Sequence, residues 1–221
     1  MRSSDRNFDL IVFDWDGTLA DSTAIIAGAI QAACRDVGEA VPDATSARFV
    51  IGLGLRDALA HVAPTLAPER HSELSARYRD HYLARDAEIP LFEGAQELLQ
   101  ELVDAGYLIA VATGKSRVGL DRALVANALA DRFHATRCAD EGKPKPHPDM
   151  LLHLIAQLRV TAARTLMIGD TTHDLEVARG AGAASVAVAH GAHASTALLE
   201  AGPLAVVHSL SELRQWLEAN G

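Results

Sequence analysis

Short apolar runs, separated by longer amphipathic ones, constrain this chain more than any other feature. LIVF (10–13), LIAVA (108–112), TLMI (165–168), SVAVA (185–189) and AVV (205–207) carry almost no polar residue. A strand with one face in water alternates polar and apolar residues, whereas a strand covered on both faces does not. The runs therefore predict a parallel sheet with helices on both sides. The stretches between them fit that expectation. In 94–106, Leu98, Leu99 and Leu102 share one helical face. Further helical patterns run at about 117–129, 148–158 and 174–181, and at 209–219 behind the cap residue Ser209. This order implies an α/β, doubly wound, Rossmann-like core.

Between 23 and 88 the rhythm fails. TAIIAGAIQAACRDVG, LRDALAHVA and PERHSELSARYRDHYLARD are helical patterns broken by Gly and Pro, with no strand among them. The simplest arrangement is an all-helical domain (22–88) inserted into a core made of 1–21 and 89–221. A unit tethered by two linkers, near 20–23 and 88–92, can move as a lid. Its charge-rich helix, 69–85, is expected to be a solvated face.

The 221 residues, 49% hydrophobic and 22% charged, suffice for a substantial core. A net charge of −9 argues against nucleic acid or an anionic membrane as partner. It leaves room for a small anion, because a local field inside a site can differ from the global one. No stretch is long enough to span a membrane, and MRSSDRNFD is too polar for a signal peptide. Cytoplasm is the default location. Cys34 and Cys138 have no metal-ligand spacing and are expected as buried, reduced thiols.

The first apolar run ends in acids: LIVFDWDGTLADS places Asp14 and Asp16 one residue apart before Gly17. Alternation along a strand puts these two acids on one side and turns Trp15 to the other, where it packs. Their position is the carboxyl end of a strand, where open α/β sheets bind ligands. Crowded carboxylates repel, and an oxygen-bound divalent cation such as Mg²⁺ is the obvious compensator. An EF-hand is excluded because its other acidic positions are missing. MIGDTTHD (167–174) repeats the design with Asp170 and, four residues on, Asp174 in the first turn of a helix. VATGK (111–115) offers the Thr113 hydroxyl and the backbone at Gly114 to phosphate oxygens. GKPKPHPD (142–149) is a proline-stiffened loop with two lysines, Lys143 and Lys145.

With these four loops in view, the sequence resembles the haloacid dehalogenase-like hydrolase superfamily, in its phosphoglycolate phosphatase-like branch. Asp14-Trp15-Asp16-Gly17-Thr18 is similar to its first motif, Thr113 to its second, and Gly169-Asp170-x-x-x-Asp174 to its fourth. The third is a lysine before Pro-x-Pro-Asp. Lys145-Pro146-His147-Pro148-Asp149 matches that pattern, which selects Lys145 over Lys143. The helical insertion resembles the cap of this branch.

The resemblance implies a Mg²⁺-dependent phosphatase acting on a small phosphorylated metabolite. Asp14 would attack phosphorus, and Asp16 would protonate the leaving group and then activate water. Asp14, the backbone carbonyl of Asp16, Asp170 and Asp174 would hold the metal. Thr113, Gly114 and Lys145 would bind the phosphoryl group. The acid at position 16 favours phosphoryl transfer over dehalogenation, because a halide leaves without a proton. The same core also serves β-phosphoglucomutase-like phosphosugar mutases, pyrophosphatases and nucleotidases. A binding protein that had lost catalysis would lack a motif acid, and all four are present. Specificity is expected in the cap, with Arg56 in GLGLRDAL (52–59) as the candidate contact for a substrate anion. His147, His173, His190 and His193 have no zinc-ligand spacing and are expected to face solvent or support the site. A monomer is the preferred state, since the cap already covers the site.

Overall fold

The computed structural model describes residues 6–221. Its chain runs β1 (Leu10–Phe13), α1 (Thr23–Asp36), α2 (Ala44–Phe49), α3 (Leu55–Val62), α4 (His71–Leu83) and α5 (Ala95–Asp104). It continues through β2 (Leu108–Thr113), α6 (Arg117–Ala126), β3 (Ala135–Cys138), α7 (Asp149–Leu158) and β4 (Thr165–Gly169). It ends with α8 (Thr172–Ala181), β5 (Ala184–Val188), α9 (Ser195–Glu200), β6 (Val206–Val207) and α10 (Leu210–Asn220).

The strands form one parallel sheet in the order β3-β2-β1-β4-β5-β6. Every residue of β1 is buried, as its unbroken apolar run requires. Leu10 and Val12 join one apolar layer, with Met150 and Leu154 of α7 and Val177 of α8. Ile11 and Phe13 join the other, with Leu98 and Leu102 of α5 and Leu213 of α10. Trp15, 1% exposed, falls in that second layer, as alternation predicts. Cys34 and Cys138 are both buried free thiols.

The apolar runs predict five strands, and the sheet has six. The strand they do not reveal is β3, ATRC. It is short, half of it is polar, and it pairs only with β2 at the sheet edge, so it needs little burial. The short helix α9 also lies outside the predicted patterns. Helices α1–α4 fall between β1 and β2 and gather around an apolar cluster of their own, including Ile30, Leu59 and Leu74. The sheet order places β1 between β2 and β4, so the chain leaves in opposite directions on its two sides. The loops after these strands meet at that switch point.

Candidate active site

Asp14 directly follows β1, and its backbone N–H donates to the Ile168 carbonyl at 2.9 Å, tying it to β4. Asp170 follows β4. Asp174 is fixed in the first turn of α8 by a reciprocal cap: Thr171 Oγ1 and N–H donate to its Oδ2 at 2.7 and 3.1 Å. Ligand atoms of Asp14, Asp170 and Asp174 lie within 4.8 Å of one another, and all three side chains are buried. Two glycines permit this crowding. A Cβ on Gly17, whose φ is +82°, would fall 2.2 Å from Asp170 Oδ2, and one on Gly191 would fall 2.1 Å from it.

The acids are not alike in what surrounds them. Asp170 accepts from Thr18 Oγ1 and from the Ala192 N–H, both at 2.7 Å. Asp14 accepts at Oδ1 from the Trp15 N–H at 2.6 Å, and Lys145 Nζ lies 3.0 Å from the same oxygen. Asp14 Oδ2 is buried and accepts no hydrogen bond from any described residue. Burial raises the Asp14 carboxyl to about 7. Lys145 works against that rise, while Asp174 and Asp16 add to it. Burial, with Asp14 and Asp174 nearby, lifts Asp170 well above the usual carboxylate range. Asp14 and Asp170 therefore hold their protons more tightly than free carboxyls do. A divalent cation among these oxygens would offset their repulsion, and an all-oxygen set with one orphaned buried atom could hold one.

Lys145 is 1% exposed and also donates to Asp174 Oδ1 at 2.6 Å, whereas Lys143 is exposed. The structure thus brings Lys145, and not Lys143, to the acids. Asp14 and Asp16 line a cavity of about 830 Å³ between the sheet and the four-helix segment. Thr113 and Gly114 line it too, as does Arg56, which is solvent-exposed on α3. A Cβ on Gly114 would stand 2.6 Å from the carbonyl oxygens of both Gly52 and Leu53, so the α2–α3 loop rests directly on the β2–α6 loop.

Sequence reasoning passed over several residues here. Asp16 is held by Ser22 Oγ at 2.8 Å and by Lys115 Nζ at 3.1 and 3.2 Å. Lys115 also donates to Tyr82 Oη at 2.7 Å. Tyr78 and Tyr82, on α4, line the cavity, so this charged helix is not simply a solvated face. Their i,i+4 spacing, continuing from Leu74 along one face of a mostly polar helix, is the signal that could have found them. His147 is exposed, and His190 Nε2 lies 3.1 Å from the Thr18 carbonyl. His173 and His193 each place Nε2 on the Phe49 carbonyl, at 2.8 and 2.9 Å.

Comparison with known proteins agrees with this geometry. The model of the haloacid dehalogenase-like hydrolase family matches residues 11–188. The chain is 36% identical to Probable phosphatase IndB of Dickeya dadantii, over 92% of this chain and 91% of that protein. It is 32% identical to Tyrosine-protein kinase PtkA of Mycobacterium tuberculosis, over 94% and 72%. It is 29% identical to phosphoglycolate phosphatase of Vibrio vulnificus, over 94% and 95%. A solved structure described as a predicted phosphatase from Clostridium acetobutylicum superposes with a TM-score of 0.85. It is 26% identical and covers 96% of this chain and 99% of that one. The chain belongs to the haloacid dehalogenase-like hydrolases, in the branch similar to phosphoglycolate phosphatases.

Proposed function

We propose that this phosphatase hydrolyses a small phosphomonoester through a phosphorylated Asp14. The observation that carries the reading is Asp14 Oδ2, the one oxygen of the acid cluster's cavity-lining residue left without a partner among the described residues. Asp14 Oδ2 attacks phosphorus while the bond to the leaving oxygen breaks, and Asp16 gives that oxygen a proton. Water then attacks the same phosphorus, Asp16 takes its proton, and the bond to Asp14 breaks to release phosphate. Lys145 pairs with both Asp14 and Asp174, and Thr113 and Gly114 supply a hydroxyl and backbone to the phosphoryl oxygens.

Asp14, Asp170 and Asp174, with the Asp16 carbonyl, would hold Mg²⁺. Bound there, the ion would offset repulsion among the acids and neutralise phosphoryl oxygens. Helices α1–α4 serve as the cap, with Arg56 reaching a substrate anion. The cavity volume is in the range for small-molecule ligands. No helix among the described residues is long and apolar enough to cross a membrane, and the reading places the enzyme in the cytoplasm as a monomer.

The test is phosphate release with Mg²⁺ from 2-phosphoglycolate, pyrophosphate, nucleoside monophosphates, sugar phosphates and an aryl phosphate, beside Asp14→Asn. One substrate above about 10⁴ M⁻¹s⁻¹ in kcat/KM, silent in the variant, is the expected result. Turnover that persists in Asp14→Asn overturns it. A sugar bisphosphate requirement would point to the mutase reading. An arm with ATP and a tyrosine peptide tests whether the activity in the PtkA name extends to this chain.

A further inference from the structure

We propose that Lys115 is a positioning residue that fixes the Asp16 carboxyl toward the leaving group, and that Tyr82 seats it there. This rests on the reading of Asp16 as the proton carrier. Lys115 Nζ reaches both Asp16 oxygens, at 3.1 and 3.2 Å, and the two side chains are only 9% and 10% exposed. The same Nζ also meets the Tyr82 hydroxyl at 2.7 Å and the Tyr82 ring, whose centre lies 4.8 Å away. Burial works against the charge of Lys115, but Asp16, Tyr82 and Tyr78 outweigh it and hold the ammonium firmly protonated.

A carboxyl in the turn after a strand rotates about its last bond unless one of its oxygens is held. Ser22 Oγ and Lys115 Nζ both donate to Oδ1, and in the carboxylate form Lys115 reaches Oδ2 as well; when Asp16 is the acid its proton sits on Oδ2, while Oδ1 keeps both donors and fixes the direction of that proton. Ser22 precedes α1 and Tyr82 lies on α4, so the helical segment supplies one anchor of Asp16 directly and seats the other. Lys115 itself comes from the loop after β2, two residues beyond Thr113. Three parts of the chain therefore converge on the orientation of one carboxyl.

Proton delivery matters most for a leaving group that cannot depart as an anion. An alkoxide needs the proton at the moment the bond to phosphorus breaks, whereas p-nitrophenolate does not. The value of kcat/KM reports only steps through departure of the leaving group, so it isolates this event from the later attack of water.

The experiment compares kcat/KM for p-nitrophenyl phosphate and for the alkyl phosphate that the wild type hydrolyses best, in Lys115→Met, Lys115→Arg, Tyr82→Phe and Asp14→Asn. For Lys115→Met the alkyl ester should lose about 10²-fold, at least about ten times more than the aryl ester loses, on the scale of a disabled general acid. Lys115→Arg, which keeps a cation, should recover part of that loss. Tyr82→Phe should show the same bias at smaller size, and it serves if Lys115→Met fails to fold by circular dichroism. Equal losses on both esters, with Asp14→Asn silent, overturn the role of Lys115 while the phosphatase reading stands. Turnover by Asp14→Asn overturns both.

Discussion

Lys145 Nζ stands 3.0 Å from Asp14 Oδ1, and neither side chain is more than 1% exposed. The same ammonium is 2.6 Å from Asp174, so one cation serves two buried acids. Removing one partner of a buried ion pair strands the other charge. Lys145→Met should cost up to about 3–5 kcal/mol of unfolding free energy in chelator at pH 8. The cost should shrink toward pH 5, where the stranded acids take up protons. Lys143→Met, on the exposed side of the same loop, should stay within about 0.5 kcal/mol. Urea denaturation of the two variants checks this, and a larger effect at Lys143 contradicts it.

Asp14 and Asp170 both titrate above their ordinary 3.8: Asp14 at about 7, because burial outweighs Lys145, and Asp170 because burial, with Asp14 and Asp174 nearby, outweighs its hydrogen bonds from Ala192 and Thr18. The folded state therefore binds these protons more tightly than the unfolded state. The stability they contribute is full below about pH 4 and is lost as pH rises through the folded values. Metal-free protein should melt at a lower temperature at pH 8 than at pH 5. Mg²⁺ bound among these acids, as proposed, would compete with those protons, so millimolar Mg²⁺ should raise Tm more at pH 8 than at pH 5. Thermal melts in chelator and in Mg²⁺ at both pH values measure this. A Tm gain from Mg²⁺ that is equal or larger at pH 5 goes against it.

The sequence carried the sheet because β1, β2 and β4 are buried on both faces and so lack alternation. It carried the acids because strand ends fix their direction. Edge strand β3 was not legible, since a four-residue strand paired on one side needs no apolar run. Lys115 was hidden for another reason. A lysine after a strand is ordinarily solvated, and only the approach of Tyr82, 33 residues away in the chain, buries it on Asp16. Contacts that depend on how the helical segment settles on the core leave no local pattern.

His193 shows how that settling is held. Its Nδ1 accepts from the Thr172 N–H at 3.1 Å, which leaves Nε2 to donate to the Phe49 carbonyl at the end of α2. Burial keeps its pKa below the usual histidine value. The Phe49 and His193 rings also stack, 5.2 Å apart and within 5° of parallel. His193→Ala removes one such bond, worth about 1 kcal/mol. Protection of the Ile51 and Leu53 amides should fall roughly fivefold in hydrogen exchange, with the sheet amides unchanged. Unchanged protection at these two amides would show that the latch lies elsewhere.

Gly114 tests the seat of the α2–α3 loop from the other side. It is not among the glycines with positive φ, so the obstacle to alanine is the contact its methyl would make. A methyl there would stand 2.6 Å from the carbonyl oxygens of Gly52 and Leu53, which are backbone and cannot rotate away. The loop must lift instead, and Gly52 lies against Thr171 and Asp14. Overpacking of this kind costs about 1–3 kcal/mol, a roughly 5- to 160-fold change in an equilibrium. Gly114→Ala should therefore raise KM by that factor and leave Tm within a few degrees of wild type, because the apolar layers around the sheet are untouched. A collapse of Tm with KM preserved would place the strain in the sheet rather than at the mouth of the site.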